Sequence, residues 1–455
     1  MSANKLWALP LVIRAILKGS MFRRMAPFIL DDERQSPDLI TDDVPRNGFQ
    51  ATEDFKHAEG NQRTEVDCVE DISIALEWKL LLPLLAPGAK DPRPGDERPV
   101  LKARRQDDPR ACLEQGHERV AQTIREVGEE AVTLDSLLRK GGEEKDYWAS
   151  SWVVKKANSA EPLDDEKRLE GYIWVPVEIC SPKMRFKDAQ TRVRMQRVLE
   201  TLNARHRLAA NCTCEVHIHL GRMDGRPWSL STLQRLGTLL WFGEPTLRSI
   251  RDPNSPNFDN IYTWGFAMRQ RSRLAKKLEG QNHAPSGFGT IPDRQIDHAI
   301  QSLPSKDLNA VVEIWKAASR LELGHLLSGP EKMYRRLGFN FSAFGKEDER
   351  ARRNPRTMEF RMMDGSVDTS LILGWLAICG TIAETAVGRL HSRFAAALGL
   401  LLQRPGGREA LDECRETLGD RRGREFRELM QALGVQAEHY RGFEDKIRRE
   451  HWINP

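Results

Sequence analysis

The sequence predicts an α+β fold: a mainly antiparallel sheet with helices on one face, followed by a helical C-terminal extension. Three observations carry this. Several stretches of about ten residues alternate apolar and polar with period two, as half-buried strands do. Between and after them run segments with apolar residues at helical spacing. The polar sides of the strand-like stretches hold carboxylates and histidines at positions where a merely solvated face would hold mixed polar residues.

Composition limits the function classes. The chain has 455 residues, 40% apolar and 30% charged, which describes a globular protein with room for more than one domain. A net charge of +4 is small for this length, and no segment interleaves aromatics with a basic stripe, so nucleic acid is not an expected partner. Seven cysteines at irregular spacing argue against a disulfide framework and for a reducing compartment. No run of about eighteen apolar residues stands out, so no membrane span is expected. Residues 1–70 read as a basic N-terminus and a polar linker. Lys5, Arg14, Lys18, Arg23 and Arg24 precede the first acidic residue, Asp31. Cytoplasmic location is the expectation, and a mitochondrial presequence is the alternative that the acid-free start leaves open.

The elements follow in order. Asp71–Leu82 alternates Ile72, Ile74, Leu76 and Trp78 with Ser73, Ala75, Glu77 and Lys79, and so predicts a strand with Glu77 on its polar face. A Pro/Gly-rich loop follows. Residues 113–139 have helical spacing and a break near Gly128. Trp152–Val154 is a short strand. Tyr172–Ser181 alternates again, with Glu178 among aromatic and small residues on its polar side and Pro176 suggesting an edge or a bulge. A helix over 192–208 leads to Cys212–Gly221, in which Glu215, His217 and His219 share one face and Cys214, Val216, Ile218 and Leu220 the other. Helices are expected over 229–251, 261–279, 294–302 and 307–320. Tyr334–Phe344 and Thr357–Asp364 form an antiparallel hairpin with a long charged tip, Glu359 and Arg361 standing together on its polar face. An apolar helix capped by Asp368 runs to about 402. The domain then ends, and residues 403–455 make charged amphipathic helices.

If these strands are neighbours, one sheet face gathers Glu77, Glu178, Glu215, His217, His219, Glu359 and Arg361. Carboxylates at that density repel unless cations lie between them, which points to a divalent metal. Carboxylates with a histidine suit Mg²⁺ or Mn²⁺ bound together with phosphates. Arg361, two residues from a ligand Glu, is placed for a phosphoryl group. Such a site suits phosphoryl transfer from ATP to a carboxylate followed by attack of an amine. A binding or scaffold protein without turnover is a second reading, and a zinc hydrolase using His217, His219 and Glu178 is a third.

The elements YIWVPVEICSP, CEVHIHLG, RRLGFNF and TMEFRMMDGSVD, in this order, resemble the amidoligase family, in particular its fungal type. The resemblance spans roughly residues 70–400 and rests on the combination of EIxSP, HxHxG and EFRxxxGxxD. It implies a curved antiparallel sheet related to that of glutamine synthetase and glutamate–cysteine ligase, with ATP and Mg²⁺ as cofactors and a carboxylate and an amine as substrates. It implies that Glu77, Glu178, His217 or His219 and Glu359 are metal ligands, that Arg361 acts in catalysis and on the nucleotide phosphate with Asn340 beside it, and that Glu178 belongs to the catalytic set. The chain departs from the family at Ala75, where a carboxylate is usual, at Ala157 and Met363, where Asp and His are usual, and in PNSPNFDNIY, where an Arg is usual. Glu215 stands where a small residue is common, and it is the ligand-face group that could compensate for Ala75.

Overall fold

The structure, a computed structural model, describes residues 71–450 except 105–107, 254, 256–266, 282–289, 301–302, 331–335, 346–355, 389–390 and 404–417. The expectations for residues 1–70, for most of PNSPNFDNIY and for the hairpin tip therefore lie outside the described residues. The strands in chain order are β1 (Ile72–Leu85), β2 (Leu101–Lys102), β3 (Ala131–Thr133), β4 (Trp152–Lys155), β5 (Tyr172–Cys180), β6 (Met184–Arg185), β7 (Glu215–Arg222), β8 (Phe339–Asn340) and β9 (Met358–Asp364). The principal helices are α1 (Pro109–Glu126), α2 (Ala189–Arg205), α3 (Leu230–Arg248), α4 (Ser305–Lys316), α5 (Thr369–Ala386), α6 (His391–Leu402), α7 (Leu418–Leu433) and α8 (Ala437–Glu450).

The α+β architecture is as the sequence predicts. One sheet runs in the order β3-β4-β5-β1-β7-β9-β8, with β2 and β6 pairing onto the ends of β1. All pairs are antiparallel except β1–β2 and β3–β4. β1 is the central strand because its alternation is the most complete: Ile72, Ile74, Leu76, Trp78, Leu80, Leu82 and Leu84 are all buried in the main core. Full burial of each such side chain contributes about 1.5–3 kcal/mol, as an upper estimate. Helices α1 and α5 pack directly on this apolar face. Gly116 of α1 fits against Val175 and Leu82, where an added Cβ would come within 2.9 Å of the valine.

The differences from expectation have local causes. β1 continues to Leu85 through Pro83. Pro176 in β5 costs no ladder bond to β1, because its partner Leu81 turns both its N–H and its C=O to Ala209 on the other side. The stretch 113–139 is helix α1, strand β3 and a short helix Leu134–Arg139, since Gly128 takes a φ of +85° and ends the first helix. The apolar region 369–402 divides into α5 and α6 near Gly388, where φ is +98°. In 261–279 the described part is two short helices, Met268–Arg271 and Arg273–Lys277, separated by Ser272, whose hydroxyl caps the second. The strand expected over Tyr334–Phe344 is reduced to β8, because residues 342–344 turn into a 3-10 helix. Cys214 does not share the apolar face of β7 as expected. It precedes the strand and packs with Leu81, Ala157 and Ala160 in a small second cluster.

Helix α5, the first part of the apolar region expected after Asp368, is the one described helix long and apolar enough to cross a membrane by length and composition. Two thirds of it (67%) is buried inside the protein, as a core helix would be. The C-terminal helices α7 and α8 pack on each other and, through α8, on α5.

Candidate functional site

The polar face of β1 organises the site, and cross-strand register does the placing. Directly opposed residues project to the same face of a sheet. One row runs Ala75, His219, Glu359, Asn340 across β1, β7, β9 and β8. The next runs Cys180, Glu77, His217 across β5, β1 and β7. The third runs Lys155, Glu178, Lys79 across β4, β5 and β1. Between Val216↔Met363 and Ile218↔Phe360 the ladder shifts, so that Arg361 and Met362 oppose the single residue His217. Such a bulge re-aims a side chain, and here it turns Arg361 between Glu359 and Glu215.

The contacts are dense. His217 is fully buried, with Nδ1 2.9 Å from Glu77 Oε1 and 3.1 Å from Glu359 Oε1, and Nε2 3.0 Å from Glu215 Oε2. His219 places Nε2 3.2 Å from Glu77 Oε2 and Nδ1 3.3 Å from Thr357 Oγ1. Asn340 Nδ2 donates to Glu359 Oε2 at 2.8 Å, while its Oδ1 accepts from the Ser342 N–H. Arg361 donates to Glu359 Oε1 and lies 3.9 Å from Glu215 Oε2. Lys79 Nζ is 3.2 Å from Glu77 and 3.8 Å from Glu215. Lys155 Nζ is 3.1 Å from Glu178 and 2.7 Å from Glu144.

Burial opposes charge on these groups, and their neighbours decide the outcome. Burial raises the Glu77 carboxyl, but Lys79, His217 and His219 outweigh it and hold the group well below the usual carboxylate range. Glu359 is likewise buried yet held well below that range by Arg361 and the two histidines. Glu215, against the same burial, is brought down to about 2 by His217, Lys79 and Arg361. Burial, Arg361 and Lys79 all press the His217 proton off, but Glu77 and Glu215 prevail and raise it to about 9. Lys79 is raised as well, its carboxylate neighbours outweighing burial. The face is thus a charge-paired network, with Glu77, Glu178, Glu215 and Glu359 set against Lys79, Lys155, Arg361 and His217.

Every residue the sequence nominates lies on this one face. Among the described residues two groups have ligand-type atoms within 4.8 Å of one another, Glu77–His219–Glu359 and Glu77–Glu178–Cys180. Glu77 belongs to both. His217 and Glu215 belong to neither. The trio His217, His219 and Glu178 does not form a group. Two carboxylates with one imidazole make a donor set that fits a Mg²⁺ or Mn²⁺ ion. Sequence reasoning missed Lys79, Lys155 and Cys180 as members of the site. The signal for Lys79 was present, since it stands two residues after Glu77 on the same strand face.

No curated protein matches the chain. A family model described as "Putative amidoligase enzyme" matches residues 110–284. That region holds Glu178, Glu215, His217 and His219, while Glu77, Asn340, Glu359 and Arg361 lie on the flanking strands that complete the face. The family that the sequence elements resemble is therefore the family whose model this chain matches, that of the amidoligases, over residues 110–284.

Proposed function

We propose that the protein is an ATP-dependent ligase that joins a carboxylate to an amine, with Glu77, His219 and Glu359 holding a Mg²⁺ or Mn²⁺ ion. The observation that carries this reading is the convergence of those three side chains from three neighbouring strands, in a chain matched by an amidoligase model. When bound, the ion supplies positive charge to the phosphate oxygens of ATP. In the proposed reaction an oxygen of the substrate carboxylate attacks the γ-phosphorus and ADP leaves. The amine nitrogen then attacks the acyl carbon, phosphate leaves, and the nitrogen gives up a proton. Asn340 and Arg361 hold Glu359 from two sides and fix its direction. Arg361 stands against Glu359 and Glu215, and with five N–H donors its guanidinium would serve a phosphoryl oxygen beside those carboxylates.

Calorimetry with Mg²⁺-ATP tests this. Glu359→Gln is expected to weaken nucleotide binding by about 10–100-fold, as loss of a metal-site group does, with the fold retained by circular dichroism. Equal affinity in the two proteins, or binding by neither, removes the ligase reading. A second reading, nucleotide binding without turnover, is favoured by one observation: Ala75 stands opposite His219 where a further carboxylate would complete the row. Mg²⁺-ATP binding without phosphate release, across a panel of carboxylates and amines, would select it.

A further inference from the structure

One row beyond Ala75 and His219, the site face runs Arg185, Ser73, Gly221 across β6, β1 and β7. Rows on one face of a strand lie about 6.8 Å apart, twice the rise per residue. This row is therefore a neighbour of the Glu77–His219–Glu359 group, on the side away from Lys79. Ser73 is its unusual member. It keeps 1% of its exposure, yet its hydroxyl has no hydrogen-bond partner among the described residues. A buried hydroxyl left unpaired costs stability, so in a folded protein it calls for an explanation. The hydroxyl faces the gap that Gly221 leaves, where an added Cβ would lie 3.3 Å from Ser73 Oγ and 3.0 Å from Thr357 Cγ2. Thr357 bounds the gap on the β9 side, with its Oγ1 3.3 Å from His219 Nδ1. On the β6 side stands Arg185, half-exposed and paired through Nη1 with Asp71. Its guanidinium has no other partner among the described residues. A hydroxyl and a guanidinium are donors suited to an anionic oxygen.

We propose that Ser73 and Arg185 bind the phosphate chain of the nucleotide where it leaves the ion, with Gly221 leaving the room for it. Both side chains donate to phosphate oxygens one row away from Glu77, His219 and Glu359. A substrate carboxylate is the other anion that such donors could hold. The phosphate chain is favoured because it carries charge along its length and so reaches from one row to the next. The inference rests on the nucleotide-binding part of the function proposed above.

Calorimetry on the full chain compares Mg²⁺-ATP with Mg²⁺-tripolyphosphate, which carries the phosphates without the nucleoside. Ser73→Ala is expected to weaken both by about 10–100-fold, as loss of a hydrogen bond to a charged group does. Arg185→Gln is expected to weaken both and to make their binding less dependent on salt. Two further measurements separate this role from packing. Because the hydroxyl has no partner in the protein alone, the urea midpoint of Ser73→Ala should equal or exceed that of the natural protein. Mn²⁺ binding without nucleotide, read from the electron paramagnetic resonance of the free ion, should be unchanged in both variants. A Ser73→Ala protein that binds both probes as the natural protein does would overturn the proposal and leave the ligase reading standing. An effect confined to the KM of a carboxylate substrate would assign the pocket to that substrate and overturn it too. So would a lowered midpoint together with weakened Mn²⁺ binding, which would make Ser73 a packing residue. Tripolyphosphate binding that depends on Ser73, in a protein that does not bind Mg²⁺-ATP, would sink the ligase reading and keep the pocket. Binding of neither probe would remove both.

Discussion

His206 shows how one buried side chain sets a pH response away from the site. Its Nε2 lies 2.9 Å from Thr123 Oγ1, and the threonine hydroxyl donates to the Arg119 carbonyl, so the ring must be the donor to Thr123. Burial, with Arg119 and Arg205 close by, drives the ring down to about 4. An unfolded histidine titrates near 6.5. Between those values the unfolded chain takes a proton that the folded chain refuses. The stability His206 contributes is therefore full above about pH 6.5 and is lost as pH falls toward 4, by about 3 kcal/mol in total. In His206→Gln, which keeps a donor for Thr123, the urea midpoint should fall less between pH 7 and pH 5 than in the natural protein. Equal falls would refute the assignment. No periodicity marked His206, whereas Glu77, Glu215, His217, His219 and Glu359 were legible because a strand sorts its residues by parity alone. Lys79 obeyed the same parity and was passed over because a lysine beside a glutamate reads as solvated surface. Its burial depends on strands far away in sequence.

At the scale of elements, four long alternating stretches and the short β4 were legible, whereas the alternation over Tyr334–Phe344 leaves only β8 as strand. β1, β5, β7 and β9 were all read with their faces correctly assigned. β2, β3 and β6 are two or three residues long, too short to carry a period, and exist only because β1 and β4 offer them an edge. The Pro/Gly-rich loop after β1 read as irregular, and its order comes from a residue outside it. Arg207, almost fully buried, gives Nη1 to Asp91 at 2.8 and 2.9 Å and to Tyr172 Oη at 2.8 Å. Its Nη2 donates to the Asp96 carbonyl at 2.6 Å and its Nε to the Arg98 carbonyl at 2.7 Å. One guanidinium fork thus stands in for the backbone ladder that the loop lacks. A lysine has a point charge and no fork, so Arg207→Lys should cost about 1–3 kcal/mol from the unpaired carbonyls. It should also open the loop to proteolysis between residues 86 and 100. Unchanged urea stability and an unchanged cleavage pattern would show that the loop is held by other contacts.

At the scale of the whole molecule, the site hairpin and the C-terminal helices are one packing unit, although the charged sequence after residue 403 reads as an extension. A line of edge-to-face or tilted aromatic contacts joins them. It runs from Phe339 of β8 to Phe360 of β9 (5.3 Å), to Trp375 of α5 (6.2 Å), to Phe443 of α8 (6.1 Å) and to Phe426 of α7 (6.2 Å). Lys446 of α8 adds a polar tie, donating to the Ile250 carbonyl at 2.7 Å and lying 3.6 Å from Asp364 at the end of β9. The close approach depends on Gly374 in α5, where an added Cβ would come within 2.4 Å of the His439 carbonyl oxygen. A backbone carbonyl cannot swing away as a side chain can, so Gly374→Ala must move α8 as a body. The expected cost is about 1–3 kcal/mol, as for overpacking elsewhere. Because Phe360 is the neighbour of Glu359, the displacement should also reach the site. Gly374→Ala is therefore expected to lower the urea midpoint and to weaken Mn²⁺ binding, though it lies on a helix and not on the site's face. Ending the chain after residue 403 is the stronger form of the same test, since Trp375 and the apolar side of α5 would lose their cover. A truncated protein that unfolds cooperatively and binds Mn²⁺ as the full chain does would show that α7 and α8 are dispensable to both fold and site.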